Sequence, residues 1–366
     1  MGTRHRTLGC LAILALALIP GACDDANDQE QDAQPLGRAR SFALGFSSLP
    51  PELTEESYAS AFELAASAGE VILIQRPPPW EELLSGGVSD DAARTTQREK
   101  ELAEQHDLDL FVAIDAVDTS ESGLANLPAE VRGDGFTNDA VRQAFVAYAQ
   151  YVAVNYQPQY LALGVEVNSY QRNSPEDFDQ FVTLYSEAYD AVKESSPDTL
   201  VFPTFQLEEM AGRLPADDPQ EPQWYLIRRF EPKLDLLVVS SYPSLVFSDP
   251  ADMPNDYFTQ ITSHTERPIA IAEMGFATET DANGEGGESE LRQASFLQQA
   301  LEDAQRLQMP LVIWFVGQDP SFTGEPPFSQ LQHIGLLRAD GSEKAAWSVW
   351  LAAARRPLEA PTAEGP

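Results

Sequence analysis

The fold is decided by two stretches of similar design, the first of which is Tyr160-Leu-Ala-Leu-Gly-Val-Glu166-Val-Asn168. The second is Pro268-Ile-Ala-Ile-Ala-Glu273-Met-Gly275-Phe276. In each stretch an apolar run typical of a buried strand leads directly to a glutamate. Burying a charge without compensation costs several kcal/mol or more, so packing alone explains neither carboxylate. Two such residues in one chain predict that the fold brings the carboxylates together.

Short apolar runs of this kind recur along the chain. Their hydrophobicity is continuous rather than alternating, which is typical of parallel strands covered on both faces. The eight predicted strands are Phe42–Phe46, Val71–Gln75, Leu110–Ile114, Tyr160–Val165, Leu200–Pro203, Leu234–Ser240, Ile269–Ala272 and Leu311–Phe315.

Amphipathic stretches lie between these runs and predict helices. The clearest are Thr54–Ala68, Asn138–Asn155, Ser174–Ser195, Gly287–Gln308 and Glu343–Ala354, with two shorter ones at Pro222–Phe230 and Asn255–His264. Strands alternating with helices predict an α/β fold, a single-domain (β/α)8 TIM barrel. The alternative is a doubly wound open sheet, which usually has a glycine-rich first turn. The first turn of this chain, Leu44-Gly-Phe-Ser-Ser48, is not glycine-rich.

The carboxyl ends of the strands in such a barrel meet at one mouth, where functional residues sit. Glu166 follows the fourth predicted strand and Glu273 the seventh. The other candidates at strand ends are Arg76 after the second, Gln206 beyond the fifth, Tyr242 after the sixth and Trp314 within the eighth. A pair of carboxylates at one mouth is the arrangement that hydrolyses glycosidic bonds.

These residues resemble a known family. Their order is similar to that of the large clan of retaining barrel glycosidases, with an acid/base glutamate after strand four and a nucleophile after strand seven. Gly164-Val-Glu166-Val-Asn168 resembles the Gly-Asn-Glu-Ile-Asn segment of the arabinogalactan endo-β-1,4-galactanases. Ala272-Glu-Met-Gly-Phe276 resembles the clan's nucleophile segment, and Ser240-Ser-Tyr-Pro243 resembles its sixth-strand segment. The resemblance covers roughly residues 42 to 351.

The resemblance implies double displacement, with Glu273 as nucleophile and Glu166 as acid/base, about 5–5.5 Å apart. Arg76 and Tyr242 would keep Glu273 ionised by attraction and hydrogen bonding. Sugar rings would contact flat or amide side chains at the mouth. The residues expected there are Trp314, Trp80, Gln206, Tyr170 and Phe276.

Val165 departs from the clan's pattern, because an asparagine that binds the sugar 2-hydroxyl usually stands there. Asn168, Gln75 or Gln206 would have to replace it. The departure leaves open a catalytically inactive barrel lipoprotein that binds carbohydrate at the cell surface. A structural salt bridge at the glutamates and a transglycosylase with the same pair also remain open.

The composition limits the partners. The 366 residues include 58 acidic and 23 basic ones, for a formal charge of −35. Nucleic-acid binding needs a basic surface, so it is excluded as a function. We expect a carbohydrate substrate, no metal and no cofactor. The acidic stretch Glu279–Glu288 lacks the ligand spacing of a calcium loop and is interpreted as a flexible loop at the mouth.

The N-terminus has the layout of a secretory signal. Arg4 and Arg6 precede an apolar run that is too short to span a membrane, and Gly21-Ala22-Cys23 resembles the end of a bacterial lipobox. Residues 1–22 are therefore predicted to be a lipoprotein signal peptide, with Cys23 lipidated in the bacterial cell envelope. Residues 23–39 would form an acidic tether, 40–354 the barrel and 355–366 a disordered tail.

Overall fold

The computed structural model describes residues 38–117, 123–215, 220–278, 287–322 and 331–359. The predicted signal peptide, the lipidation site Cys23 and nearly all of the tether lie outside these ranges. So do most of the acidic loop Glu279–Glu288 and the tail beyond residue 359. The predictions about them remain predictions.

Nine parallel strands form one sheet, in the order β5-β4-β3-β2-β1-β9-β8-β7-β6. The predicted fifth strand, Leu200–Pro203, corresponds to β5, and β6 is a further strand that follows Pro203, which has no N–H to donate to a ladder. Because β5 pairs with β4 and β6 pairs with β7, the sheet closes into a barrel. The bounds are β1 Ala43–Ser47, β2 Val71–Arg76, β3 Asp109–Ile114, β4 Tyr160–Ala162, β5 Leu200–Phe202, β6 Thr204–Gln206, β7 Leu237–Ser241, β8 Ile269–Met274 and β9 Leu311–Trp314.

Helices on the outside of the barrel follow most of the strands. Thr54 and Asn138 cap α1 and α4 through their side chains, and Pro175 occupies the first turn of α6. The five clearest predicted helices are confirmed, whereas the helices α2, α3, α5 and α7 were not predicted. The bounds are α1 Glu55–Ala68, α2 Trp80–Ser85, α3 Asp90–Gln105, α4 Asp139–Tyr156, α5 Val167–Asn173, α6 Pro175–Ser195, α7 Leu207–Met210, α8 Ile227–Phe230, α9 Gly287–Arg306 and α10 Ala345–Ala354.

The two shorter predicted helices are mostly 3-10 turns. The first contains a 3-10 turn at Trp224–Leu226 and the four-residue α8, and the second a 3-10 turn at Thr259–Ser263. The prediction of a (β/α)8 barrel is confirmed, although the helical layer is thin beside β6 and β7. Among the described residues, no helix has both the length and the apolar character needed to cross a bilayer.

The described residues continue past the predicted tail boundary at residue 355, as far as residue 359. The backbone N–H of Arg40 donates to Pro357 and that of Glu359 donates to Arg40, so the two ends of the barrel domain pair at a bridge between Arg40 and Leu358. The Arg356 guanidinium donates to the carbonyl of Arg38 at 2.7 Å. These bonds join residues 356–359 to residues 38–40.

A β-bulge lies beside the predicted nucleophile. Val239 of β7 faces Ile271 of β8, but the next residue, Ser240, faces Glu273, so Ala272 is one residue extra on β8. A bulge of this kind bends a strand and re-aims its side chains, and bulges are common next to active sites. Here it brings Glu273 level with Ser240.

Candidate active site

Glu166 lies just beyond β4, on a turn that its neighbours hold in place. Its backbone is left-handed, with φ 47° and ψ 47°, a conformation uncommon for residues other than glycine. Its N–H donates to Thr204 Oγ1 at 2.9 Å, and the Ser240 hydroxyl donates to its Oε1 at 2.5 Å. The carboxylate is thus fixed from β6 and β7, and the side chain remains half-buried.

Glu273, near the end of β8, is only 6% exposed. The Tyr242 hydroxyl donates to its Oε2 at 2.8 Å, the contact that the sequence resemblance implied. Gly275 makes room for the tyrosine, because a Cβ at residue 275 would lie 3.2 Å from two carbons of the Tyr242 ring. The Glu-x-Gly spacing therefore has a packing reason.

The pKa values of both carboxylates are raised. Burial, and then the repulsion from Glu166, raise the pKa of Glu273 to about 8. Burial raises the pKa of Glu166 to about 7, against the lowering effect of the Ser240 hydrogen bond. Like charges in a dry site do not ionise together, so the pair retains a proton near neutral pH.

Neither glutamate belongs to an ion pair within the described ranges, which include every lysine and arginine beyond residue 37. This argues against the alternative of a structural salt bridge. The predicted role of Arg76 is wrong. Its guanidinium pairs with the buried Glu99 of α3, which also accepts hydrogen bonds from Tyr58 and Tyr156. Arg76 points toward the helices, so it does not hold Glu273 ionised.

Asp115 is a third carboxylate of the site that the sequence analysis did not single out. It follows β3, and its negative charge contributes to the raised pKa of both Glu166 and Glu273. Gln75 donates to its Oδ2 from the neighbouring strand at 3.2 Å. Side chains alternate between the two faces of a strand, so Gln75 and Arg76 must face opposite sides of β2. This alternation could have shown from the sequence that Gln75, and not Arg76, faces the site.

The same alternation separates Trp314 from Phe315. Trp314 is fully buried, packs against Phe296 of α9 and donates its indole N–H to the carbonyl of Ile334. The prediction that it contacts sugar is therefore corrected. Its half-buried neighbour Phe315 lies 6.4 Å from the Tyr242 ring, nearly perpendicular to it, and is the aromatic residue at this strand end beside the carboxylates.

Three other predicted sugar contacts belong to the protein core. Trp80, Tyr170 and Phe276 are at most 3% exposed. The Trp80 indole donates to the Ala125 carbonyl, the Tyr170 hydroxyl donates to Asp177, and the Phe276 ring packs on Phe296. Large aromatic residues bury most area in the core, and this explains why residue type alone misassigned them.

Asn168 and Gln206, the amide residues predicted to support catalysis or contact sugar, form hydrogen bonds within the protein instead. Asn168 is fully buried, its Oδ1 accepts from the Gln206 N–H at 2.8 Å, and its Nδ2 donates to the Gln206 carbonyl at 3.0 Å. The Gln206 side chain donates to Glu208 and accepts from the Glu209 N–H. Asn168 therefore ties α5 to β6 rather than supporting catalysis, and of the three suggested substitutes for the missing asparagine only Gln75 remains beside the carboxylates.

Glu208 is a second residue that the sequence analysis missed. It is fully buried at the start of α7, where Tyr257, Ser241 and Gln206 donate hydrogen bonds to its carboxylate. Burial raises its pKa against these bonds, and its charge adds to the raised pKa of Glu166. It forms a buried negative charge behind Glu166 and Tyr242.

This chain has the fold of the barrel glycoside hydrolases. It is similar to an exo-β-1,4-mannosidase from Opitutaceae bacterium strain TAV5, with a TM-score of 0.66 and 15% identity over 88% of this chain and 62% of that one. It spans less than two thirds of that mannosidase. It is also similar to a GH5_18 protein from Streptomyces cattleya in complex with Manβ1-4GlcNAc, with a TM-score of 0.64 and 16% identity over 87% and 82% of the two chains.

A third similar structure is a GH10 endoxylanase from a sugarcane soil metagenome, with a TM-score of 0.61 and 13% identity over 86% of this chain and 96% of that one. Identities this low establish a shared fold alone. No protein-family model matches the sequence, and no curated protein matches it.

Proposed function

We propose that the protein is a retaining glycoside hydrolase. The observation that carries the proposal is the pair of the half-buried Glu166 and the buried Glu273, whose pKa values are both raised and which have separate hydrogen-bond donors in Ser240 and Tyr242. Raised pKa values in a site with defined partners are typical of groups that handle protons.

Each glutamate has one oxygen occupied by a donor, which leaves the other for chemistry. Glu273 Oε1 attacks the anomeric carbon as the bond to the leaving oxygen breaks, and Glu166 gives its proton to that oxygen. Water then transfers a proton to Glu166 and attacks the same carbon, which releases Glu273. The reactive state is the one in which the proton of the pair sits on Glu166 and Tyr242 stabilises the charge on Glu273. Because Glu273 has the higher pKa of the two, this is the less populated arrangement of the proton in the free protein.

The substrate class that we propose is a β-linked poly- or oligosaccharide. The similar structures include proteins named as a β-1,4-mannosidase and an endoxylanase, so β-mannosides and xylan are the first substrates to try. The galactanase resemblance of the Glu166 segment is a further prediction, and β-1,4-galactan belongs in the same panel.

The test is turnover of aryl β-glycosides and these polysaccharides by wild type, Glu166→Ala and Glu273→Ala. We expect both variants to lose activity by at least about 100-fold. Azide should restore Glu273→Ala with an inverted glycosyl azide and Glu166→Ala with a retained one. An active Glu273→Ala variant without azide would overturn the proposal.

A second candidate is a carbohydrate-binding barrel without catalysis. It is favoured by Val165, which is 6% exposed and supplies no hydrogen bond where the resembled clan has asparagine. Sugar binding without turnover of any substrate would favour this candidate, because both candidates bind carbohydrate but only one cleaves it.

We propose further that Cys23 anchors the protein to the bacterial cell envelope through a lipid. Support comes from the sequence around residues 20–23 alone. Full-length protein should fractionate with membranes, and Cys23→Ala should release it. Equal membrane association of both would contradict the anchor.

A further inference from the structure

We propose that Ser240 is a positioning residue that occupies Oε1 of Glu166 and so reserves Oε2 as the oxygen that carries the transferable proton. This inference rests on the proposed function and assigns a role in it to a residue outside the catalytic pair. Ser240 would determine which oxygen of Glu166 transfers the proton and over which pH range Glu166 remains protonated.

The first support is geometric. Ser240 is fully buried near the end of β7, and its hydroxyl lies 2.5 Å from Glu166 Oε1. Its backbone lies between Gln206 of β6 and Glu273 of β8 in the ladder, so the hydroxyl is held at a fixed level in the sheet. A short strand residue with a single rotatable hydroxyl keeps this position at little entropic cost.

The second support is how Glu166 itself is held. Its left-handed backbone and the bond from its N–H to Thr204 fix the start of the side chain, and Ser240 fixes the end. With Oε1 accepting from Ser240, a proton on the carboxyl group goes to Oε2. Catalytic protons are transferred well only when the donor atom is held in a defined direction.

The charges that face Glu166 act in the opposite sense to Ser240. Asp115 after β3 and Glu208 and Glu209 on α7 disfavour the ionised form of Glu166, whose own charge raises the pKa of Glu273 on β8. Tyr242 stays protonated because its pKa is raised well above its usual value. The Ser240 hydroxyl stabilises the ionised form and lowers the pKa of Glu166. Ser240 therefore limits how far the carboxylates raise that pKa.

The test compares the pH profiles of wild type and Ser240→Ala on an aryl glycoside. Loss of the donor should raise the pKa of Glu166, so the profile of kcat/KM should move to higher pH by up to about one unit, chiefly in its acid limb because Glu273 has the higher pKa of the two. We expect kcat to fall about tenfold with KM within about twofold, because the proton loses its fixed direction. Ser240→Cys, a weaker donor of similar size, should lie between the two.

The matched control is Thr199→Val, which removes a hydroxyl that is 2% exposed and bonded to the carbonyl of Pro158 at the opposite end of the barrel. It should lower stability without moving either limb. A pH profile that stays in place in Ser240→Ala, or moves to lower pH, overturns the inference.

A second readout does not need turnover. In protein with 13C-labelled glutamate carboxyls, the Glu166 signal, identified by its absence in Glu166→Gln, should titrate at higher pH in Ser240→Ala than in wild type. If Ser240→Ala is active and its Glu166 signal titrates as in wild type, the role of Ser240 is refuted and the proposed function is not. If the Glu166 titration shifts but wild type turns over no substrate, the proposed function is refuted, whereas the hydrogen bond between Ser240 and Glu166 is supported.

Discussion

The hydroxyl of Tyr242 lies 2.8 Å from Oε2 of Glu273 and is the hydrogen-bond donor to that carboxylate. Arg76, the cation expected to share this task, is paired with Glu99 instead. Stabilisation of the charge on Glu273 therefore depends on a neutral donor in a site rich in negative charge.

Removing this donor should weaken catalysis without unfolding the barrel. We expect Tyr242→Phe to lower kcat/KM about 10- to 100-fold, because the charged form of Glu273 loses about 1.5–3 kcal/mol of hydrogen bonding. The pH profile should move to higher pH, because loss of the hydrogen bond raises the pKa of Glu273. Tyr185→Phe is the control, since it removes a buried hydroxyl bonded to the Lys233 carbonyl far from the pair. Equal losses in both variants would contradict a specific role for Tyr242.

Gly275 should be as sensitive as the tyrosine that it accommodates. A Cβ there would lie 3.2 Å from the Tyr242 ring and 3.1 Å from Ile334 Cδ1, so Gly275→Ala should displace the ring from Glu273. We expect a loss of kcat of about tenfold or more. Gly287→Ala, where nothing lies within 4 Å of the added carbon, should remain fully active. Full activity of Gly275→Ala would show that the ring can shift without cost.

Asp115 should set the pH optimum. Its charge raises the pKa of both Glu166 and Glu273, so Asp115→Asn should lower both values and move both limbs of the kcat/KM profile to lower pH. The control is Asp109→Asn, at the opposite end of β3. A profile that stays in place would mean that Asp115 is too well screened to matter.

The catalytic pair should reduce stability as pH rises. Glu273 has a pKa of about 8 in the folded protein against a usual 4.5, so between these values the folded state binds more protons than the unfolded state. The free energy of unfolding therefore falls across this window. Glu273→Gln, which stays neutral, should be more stable than wild type by on the order of 3 kcal/mol above pH 8, with no gain below pH 4.5. Thermal unfolding at both ends of the window measures the difference, and a pH-independent one would contradict the raised pKa.

Glu99 should matter for stability rather than for the pH profile. It is 2% exposed and accepts from Arg76, Tyr58 and Tyr156, so Glu99→Gln should cost about 3 kcal/mol by leaving Arg76 without its counter-charge. Urea unfolding measures this loss. A shift of the kcat/KM pH profile in the same variant would show that Arg76 acts on Glu273.

Hydrophobic patterning was sufficient for the barrel, because burial on both faces leaves a continuous apolar run at each strand. Patterning did not predict that the strand β6 follows β5 directly after Pro203. It also did not predict that the segments 224–230 and 259–263 form short turns instead of full helices. Strand ends also predicted the two glutamates and Tyr242. What they did not give was the direction of each side chain, so Arg76 and Trp314 were assigned to the mouth although Gln75 and Phe315 face the carboxylates.

The sequence by itself determined the strand order, the positions of Glu166 and Glu273 and the tyrosine beside the second of them, since these follow from local patterns. Only the tertiary structure decided which groups surround the pair. Ser240, Asp115 and Glu208 come from different strand ends, and the bulge at Ala272 sets the level of Glu273. Hydrogen bonds and charges act over a few ångströms, so their partners are fixed by packing between segments that are distant along the chain.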